Sequence, residues 1–373
     1  MSLGSIAMKI TDVEAYHIAI PFEHGAPPPS QGSGGVRTTL EAVYVRVATD
    51  AGLIGWGECF GFNCCPVTHF AIGRILKPFL IGRACDDIGA LMLDMHRRVQ
   101  SSGRNGPLIF ALSGVDIALW DIAGKARKMP IHRMLGSTGA RSRVPAYASL
   151  MRLDTPANVR KVCYDAIARG YSQIKLHERT AEAAAAARET AGAGFPIMLD
   201  TNCTWDQSTA VEMARRLEAY DLTWLEEPVF PPDDYKALAT LRRETKIPIA
   251  AGENLGNLLD VERILDAGAV DIVQPDPIKM GGITECWKAL QIAEARGVQA
   301  EPHSPWHGPG LAAALHLIAA MKTDCLAEFY YADLRISPMG DAGVPRDGFL
   351  AVPEGPGLGI DVDERVLTEF RVA

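Results

Sequence analysis

Seven polar residues recur at a nearly constant interval in the second half of the 373-residue chain, and each directly follows a short apolar or β-prone run. Consecutive members are 23 to 27 residues apart. The set is Lys175, Asp200, Glu226, Glu253, Asp276, His303 and Glu328. Carboxylate oxygens bind divalent cations, and imidazole, carboxyl and ammonium groups transfer protons. These residue types in this pattern predict metal-assisted acid–base chemistry at one site.

The interval fits one strand, one helix and two loops, which is the repeating unit of a (β/α)8 barrel. If each run is a barrel strand, all seven side chains lie at the carboxyl ends of strands, where barrel enzymes build their active sites. From Val144 onward, strand-like and helical stretches alternate, which indicates a parallel sheet. We therefore predict a barrel over residues 144–335.

The first part of the chain has a different pattern. Residues 8–20 and 40–49 alternate apolar and polar side chains, residues 53–58 return as a hairpin arm, and residues 109–127 carry apolar residues at helical spacing. Residues 8–135 are thus predicted to form a separate α+β domain. The run GFLAVPEGPGLGIDVDE in the segment 336–373 has too many Gly and Pro residues for a further helix, and we expect this segment to pack back onto the first domain.

Residues 21–39 are rich in Pro, Gly and Ser, and we expect them to form no regular element. Because loops of this length in compact proteins are usually functional or disordered, we interpret the segment as a lid rather than a passive loop. Its polar side chains His24, Gln31 and Arg37 suit a hydroxylated acid. Residues 57–66 are a candidate companion loop.

Composition excludes several classes of function. The net charge of −8 offers no basic surface for nucleic acid, and no apolar run is long enough to span a membrane. The eight cysteines are scattered through a large chain and do not form the pattern of a small secreted disulfide scaffold. We predict a cytoplasmic protein with reduced thiols, no nucleic-acid or membrane partner, and a small-molecule substrate.

Asp200, Glu226 and Glu253 are the predicted metal ligands. All-oxygen ligands favour Mg²⁺, with Mn²⁺ as the alternative. A single acidic residue at a strand end is often a helix N-cap or a solvated loop charge. Three acidic residues in register on neighbouring strands favour a metal site instead. Glu227 follows Glu226, and since side chains alternate along a strand, only one of them should face the barrel axis. The register favours Glu226.

Asp276 and His303 lie on consecutive later strands. A carboxylate beside an imidazole orients it and raises its basicity, which suits a general base. His307, in the loop that follows His303, is a rival candidate. Asn202 points with Asp200 and could contact substrate, as could Trp306 beyond His303 and the lid residues His24 and Arg37.

Lys175 and His177 are two residues apart and therefore point the same way. Lys175 can position a carboxylate or, with a lowered pKa, take a proton. The alternative is that it only forms a salt bridge to Asp200 or Glu226. Glu328 can accept a hydrogen bond from a substrate oxygen when it is charged, or donate one when it is protonated.

Taken in order, several motifs resemble the enolase superfamily, specifically the mandelate racemase group of the mandelate racemase/muconate lactonizing enzyme-like family. They are LSGVDIALWDIAGKARKMPIHRMLG (112–136), WGE (56–58), IMLDTN (197–202), WLEEP (224–228), IAAGEN (249–254), QPDPIKMGGIT (274–284) and EPHSP (301–305). The resemblance covers nearly the whole chain. It implies an α/β fold, a modified TIM barrel of the (β/α)7β type with an N-terminal α+β capping domain, and a homo-oligomer.

The resemblance also implies a first step. Mg²⁺ binds the substrate carboxylate, a base removes the proton from the adjacent carbon, and the metal holds the ene-diolate. Many members carry Lys-x-Lys on the second barrel strand, but this chain has Lys175-Leu176-His177. A Lys-based racemase of the usual type is therefore in doubt. Asp276 stands where muconate-cycloisomerase and dipeptide-epimerase relatives carry Lys, which argues against those branches.

With His303 as base, dehydration of a sugar acid to a 2-keto-3-deoxy acid, a hydro-lyase reaction, is the favoured interpretation. The alternative is a racemase or epimerase in which His303 and His177 act on opposite faces of the carbon. A non-catalytic barrel that binds a metal or an acidic ligand is disfavoured because it has no need of Asp276 behind His303. A metal-dependent hydrolase is disfavoured because the triad positions offer no His ligand.

Overall fold

The computed structural model describes residues 8–28, 30–31, 35–137 and 141–372, with the backbone alone at 30, 31 and 35. The strands in this part of the chain are β1 (Ile10–Glu23), β2 (Ser30–Gln31), β3 (Gly35–Val36), β4 (Thr39–Thr49), β5 (Ile54–Cys59), β6 (Arg143–Ser149), β7 (Ile174–Leu176), β8 (Ile197–Asp200), β9 (Trp224–Glu226), β10 (Ile249–Ala251), β11 (Ile272–Val273), β12 (Gln299–Ala300), β13 (Ala327–Tyr330), β14 (Asp333–Leu334) and β15 (Phe349–Ala351).

The α-helices are α1 (Cys65–Phe70), α2 (Lys77–Leu80), α3 (Ile88–Val99), α4 (Pro107–Arg127), α5 (Ile131–Met134), α6 (Pro156–Ala168), α7 (Ala181–Ala191), α8 (Gln207–Leu217), α9 (Tyr235–Glu244), α10 (Leu258–Asp266), α11 (Gly282–Ala295), α12 (Pro309–Ala320) and α13 (Glu364–Glu369). A π-helical segment, Ala71–Leu76, joins α1 to α2 without a break.

An antiparallel sheet in the order β14-β1-β4-β5 forms the N-terminal part of the molecule. It packs against α4 backbone to backbone. A Cβ atom on Gly55 would lie 2.1 Å from the carbonyl oxygen of Ala118, and one on Gly57 would lie 1.9 Å from that of Gly114. Both distances are shorter than any van der Waals contact, so this approach requires glycine at the two strand positions.

Helix α4 is long and apolar enough to cross a membrane by length and composition, but 83% of its most apolar window is buried inside the protein. Its two buried acids tie it to other parts of the chain. Asp116 accepts the backbone N–H of Thr284 at 3.0 Å, and Asp121 accepts those of Trp56 at 3.0 Å and Leu358 at 2.9 Å. The apolar composition of α4 is explained by its position in the core.

The second sheet is parallel and runs in the order β13-β6-β7-β8-β9-β10-β11-β12, with β15 antiparallel against β6. Helices α6 to α12 alternate with its strands, so the predicted (β/α)7β barrel with an antiparallel sheet domain before it is confirmed. Among the described residues β12 and β13 share no backbone ladder. Glu301 bridges them instead, since its Oε2 accepts Leu326 N–H at 2.7 Å and the Cys325 thiol at 3.0 Å.

The segment after the barrel contacts the N-terminal part near its middle and at its end. Ile131 N–H donates to the carbonyl oxygen of Gly357 at 3.1 Å, and Val372 N–H donates to that of His17 at 2.8 Å. These contacts agree with the expected return of residues 336–373. The domain limits 8–135 and 144–335 stay a prediction.

The buried histidine His316 on α12 should make folding stability depend on pH. Its Nε2 lies 3.1 Å from Leu358 O, and its Nδ1 accepts His132 N–H at 3.3 Å. Burial lowers the pKa of His316 from 6.5 to about 4. As pH falls through that range, the unfolded chain binds a proton at this position and the folded chain does not. The free energy of unfolding should therefore decrease, by up to about 3 kcal/mol from this group.

Denaturant titrations at neutral pH and near pH 5 measure this effect. The His316→Gln variant should be less stable than wild type at neutral pH and should lose less stability on acidification. An unchanged pH dependence in that variant would show that His316 is not responsible.

Candidate active site

The carboxyl ends of the barrel strands bring the seven recurring residues to one end of the barrel. Lys175 lies within β7, Asp200 and Glu226 end β8 and β9, and Glu328 lies within β13. Each of the other three follows its strand by two or three residues; these are Glu253, Asp276 and His303. All seven belong to one connected set of ion pairs and hydrogen bonds.

Asp200, Glu226 and Glu253 each place one carboxylate oxygen within 4.8 Å of the other two. Asp200 and Glu226 are fully buried, and the Glu253 side chain is only 15% exposed. Burial raises the pKa of Glu226 to about 7, against the opposing effect of Lys175. A compact set of carboxylate oxygens shielded from water matches the ligands that Mg²⁺ and Mn²⁺ prefer, so these residues fit the predicted ion.

Lys175 is fully buried between acids. Its Nζ lies 2.6 Å from Glu226 Oε1, 2.8 Å from Glu328 Oε1 and 3.8 Å from Asp200 Oδ2. Burial alone would lower the pKa of Lys175, but Glu226 and Glu328 hold it well above its ordinary value. Lys175 therefore stays charged, and this geometry favours its role as a counter-ion over proton transfer.

Glu226 and Glu328 accept further hydrogen bonds from residues outside the recurring set. Glu226 Oε2 accepts Trp224 Nε1 at 2.7 Å and Gln274 Nε2 at 2.9 Å. Glu328 Oε1 accepts Ser149 Oγ at 2.7 Å. Trp224 and Gln274 stand two residues before Glu226 and Asp276, so strand alternation was the signal that could have identified both.

The electrostatics decide the protonation state of Glu328. Burial would raise the pKa of Glu328, but Lys175 and His303 lower it to about 2. The carboxyl group is therefore ionised and accepts hydrogen bonds. Of the two roles considered for Glu328, the geometry favours the charged acceptor.

His303 and Asp276 form a close pair, with 2.6 Å between His303 Nδ1 and Asp276 Oδ2. Asp276 Oδ1 also accepts Ile278 N–H at 2.8 Å, which fixes the carboxylate. The aspartate holds the proton on Nδ1 and leaves Nε2 directed at the triad, 2.9 Å from Glu253 Oε2 and 3.8 Å from Glu328 Oε2. This is the orientation that a general base needs.

The acids around His303 determine its basicity. Burial would lower the pKa of His303, but Glu253, Glu328 and Asp276 hold it well above its ordinary value. A divalent cation held by the triad would oppose this shift, because it would neutralise the same carboxylates. The rival His307 is differently placed, since its Nε2 lies 3.0 Å from Tyr330 O and burial lowers its pKa to about 4.

His177 and Asn202 both contact Asp200. His177 Nδ1 donates to Leu150 O at 2.6 Å, and its Nε2 lies 3.2 Å from Asp200 Oδ2. Asn202 donates its backbone N–H to Asp200 Oδ1 at 2.7 Å and its Nδ2 to Oδ2 at 3.1 Å. Both residues line the cavity above the triad, so both can reach a substrate.

That cavity has a volume of about 970 Å³ and opens above Glu253 and His303. Arg37 lines it, lies 4.2 Å over the Phe62 ring and donates to the Tyr330 hydroxyl at 3.3 Å. Trp306 lines it as well, with its ring edge-on to His303 at 5.7 Å. Both predicted substrate contacts therefore face the site.

His24 does not face the site. It is buried, its Nε2 lies 3.1 Å from Pro27 O, and it is not part of the cavity wall, because the loop turns its ring inward against Phe22. Residues 29 and 32–34 of the predicted lid, and the side chain of Gln31, lie outside the described residues. The lid interpretation stays a prediction.

Two cavity residues, Glu227 and Lys279, are absent from the recurring set. Strand β9 ends at Glu226, and Glu227 takes a left-handed φ of +43°. The alternation of side chains therefore stops there, and Glu227 lines the cavity. This differs from the expectation that only Glu226 would face the barrel axis. Its Oε1 accepts Gly252 N–H at 2.9 Å. Lys279 donates to Asn254 Oδ1 at 3.1 Å and lies 4.7 Å over the Phe60 ring. Loop conformations of this kind carry no periodic sequence signal.

Comparison with known proteins agrees with this geometry. The family described as "Mandelate racemase / muconate lactonizing enzyme, N-terminal domain" matches residues 18–136, and "Enolase C-terminal domain-like" matches residues 158–366. The chain belongs to the mandelate racemase/muconate lactonizing enzyme-like family of the enolase superfamily.

Individual relatives differ in the reaction they are named for. A D-galactarolactone cycloisomerase of Agrobacterium fabrum strain C58 is 32% identical over 98% of this chain and 99% of its own length. An arabinonate dehydratase of Saccharolobus solfataricus is 32% identical over 89% of this chain and 91% of its own. A solved racemase from Streptomyces coelicolor A3(2) with bound magnesium superposes with a TM-score of 0.85 at 27% identity, covering 97% of this chain and all of its own.

Proposed function

We propose that the protein is a Mg²⁺-dependent sugar-acid dehydratase. It removes the proton α to a carboxylate and eliminates the β-hydroxyl as water, giving a 2-keto-3-deoxy acid. The observation that carries this proposal is the His303–Asp276 pair, whose Nε2 is directed at a buried triad of carboxylates. An arabinonate dehydratase among the relatives supports the choice of reaction.

Asp200, Glu226 and Glu253 would hold Mg²⁺, or Mn²⁺ in its place. When bound, the ion supplies positive charge beside the substrate carboxylate, where negative charge develops as the proton leaves. Lys175 remains charged 2.6 Å from Glu226 Oε1 and adds to the positive potential at the same place. Carbon acids beside a carboxylate are very weak, so this charge stabilisation is the main requirement of the reaction.

The proton transfers are carried out by His303, with Asp276 as its partner. His303 Nε2 accepts the α-proton, and the electrons of that bond form the carbon–carbon double bond as the β-carbon–oxygen bond breaks. The leaving hydroxyl takes a proton, which the newly protonated His303 supplies, and departs as water. The enol product then tautomerises to the 2-keto-3-deoxy acid. Asp276 stabilises the positive charge on the imidazole while it holds the proton.

Racemisation or epimerisation is the second candidate because two histidines approach the triad. His303 Nε2 lies beside Glu253 and His177 Nε2 beside Asp200, so bases stand at two different triad acids. The magnesium-bound racemase among the structural relatives is consistent with this reaction. Solvent deuterium incorporation at the α-carbon without loss of water would identify it.

A screen of sugar acids with Mg²⁺ tests the proposed function. Each acid is incubated with the protein, and 2-keto-3-deoxy products are detected chemically and by NMR in deuterium oxide. We expect at least one acid to lose water. Exchange without elimination would replace the dehydratase by the racemase, and absence of both from a broad set of carboxylic acids would refute both.

Replacement of His177 by alanine separates the two reactions. In a dehydratase that uses His303 as base, His177→Ala should leave elimination measurable but slower, because His177 would then only position Asp200 and the substrate. In a two-base racemase the same change should remove inversion. The ratio of kcat between variant and wild type gives the answer, and complete loss of elimination would make His177 the primary base.

A further inference from the structure

Two arginines, Arg152 and Arg179, line the cavity on the wall formed by the first two barrel strands. Each follows its strand by three residues, β6 for Arg152 and β7 for Arg179. Arg179 is exposed and Arg152 is half-buried. Neither has a part in the triad or the His303–Asp276 pair.

These guanidinium groups have few partners. Arg152 Nε lies 3.6 Å from Asp154 Oδ1, and Arg179 has no hydrogen bond or ion pair within the described part of the chain. The nearby Glu178 is already engaged, since its Oε1 accepts Leu153 N–H at 2.6 Å and Asp154 N–H at 3.3 Å. That carboxylate fixes the loop after β6 to the residues after β7 and leaves the arginine donors free.

The other cations of the cavity differ in this respect. Arg37 donates to Tyr330 and covers Phe62, and Lys279 donates to Asn254. Apart from the triad and Glu227, the acidic residues of the cavity wall are Asp233, which follows β9, and Asp260, which lies in α10. The cationic groups with the fewest protein partners in this cavity are therefore the guanidinium groups of Arg152 and Arg179 on the β6–β7 wall.

The position of this wall along the barrel defines what it can bind. Lys175 lies within β7 and is fully buried, whereas Arg179 follows the end of β7 by three residues and is exposed. Lys175 lies among the triad carboxylates, so Arg179 lies farther toward the mouth. A guanidinium group binds a carboxylate through two parallel hydrogen bonds, and ten N–H donors are available from the pair, on the order of five for each. The complementary ligand is an anionic group distant from the one that meets the triad.

We propose that Arg152 and Arg179 form a subsite for a second, distal carboxylate, and that the substrates are hydroxylated dicarboxylic acids. This inference rests on the proposed function for the end of the substrate that meets the triad. The arginines position the substrate and take no part in proton transfer.

Steady-state kinetics with a matched pair of acids tests the subsite. The pair consists of a sugar monoacid and the diacid of the same carbon number and configuration, each with Mg²⁺. Wild type should favour the diacid in kcat/KM. Arg152→Gln and Arg179→Gln should each raise the KM of the diacid by about 10- to 100-fold, with kcat within a few-fold and the monoacid KM unchanged. Arg160→Gln, on α6 and paired with Glu189 outside the cavity, is the control.

Three results would refute the subsite proposal without affecting the proposed dehydratase reaction. They are equal KM effects of the arginine variants on both acids, no effect on either acid, and a higher wild-type kcat/KM for the monoacid. If no acid of the pair is turned over, calorimetric titration of the diacid decides the matter. Weaker binding by the Arg152→Gln, Arg179→Gln double variant than by wild type supports the subsite without catalysis. Equal binding refutes it.

Discussion

Replacing His303 by asparagine should reduce turnover by about 10²- to 10⁴-fold, because positioned general bases contribute rate factors of this size. Asparagine approximates the polar end of the imidazole toward Asp276 but cannot accept a proton at the position of Nε2, which lies 2.9 Å from Glu253. Rates of product formation and of α-deuterium exchange should both fall. Since His303 is not a proposed metal ligand, Mg²⁺ binding measured by calorimetry should persist.

The neighbouring His307→Asn variant is the matched control. His307 contacts Tyr330 O and lies behind the cavity wall, so its replacement should leave most of the activity once thermal melting shows a folded protein. Full activity in His303→Asn, or a comparable loss in His307→Asn, would remove the His303–Asp276 pair from the mechanism.

Removal of divalent cations by a chelator should abolish turnover, and added Mg²⁺ should restore it. The Glu253→Gln variant should need a much higher Mg²⁺ concentration for half-maximal activity. In other metalloproteins, loss of a residue that hydrogen-bonds to a metal ligand lowers metal affinity about 10- to 100-fold. Loss of a direct ligand should lower the affinity at least as much. Direct Mg²⁺ titration measures this shift independently of turnover.

Asp233→Asn provides the control for charge alone, because Asp233 lines the same cavity and lies outside the triad. Its Mg²⁺ requirement should stay close to that of wild type. Turnover that resists exhaustive chelation, or equal shifts in the two variants, would contradict the assignment of the metal ligands.

The sequence predicted the barrel and the meeting of its strand-end residues because both follow from periodicity. A residue interval near 25 positions each side chain after a strand, and parallel strands present their carboxyl ends at one edge. The triad oxygens, which lie within 4.8 Å of one another, and the 2.6 Å contact of His303 with Asp276 agree with that reasoning.

Contacts that depend on loops were not predictable in this way. The left-handed backbone at Glu227 and the inward turn of His24 depend on local geometry that no interval encodes. The ion pair of Lys175 with Glu328 joins strands β7 and β13, which lie far apart in sequence and become close because both flank β6 in the sheet. Long-range side-chain geometry therefore had to come from the structure.

The contact of Gly55 and Gly57 with helix α4 has a consequence for how this protein diversifies. It supports the start of residues 57–66, whose Phe60 and Phe62 form part of the cavity wall, through a close backbone approach in which neither aromatic side chain takes part. Because the two aromatic rings are not part of that contact, they can be exchanged during evolution or in a mutant library without removing this support of the loop. Substrate selectivity can thus change through substitutions at these positions while the proton-transfer residues of the barrel are retained.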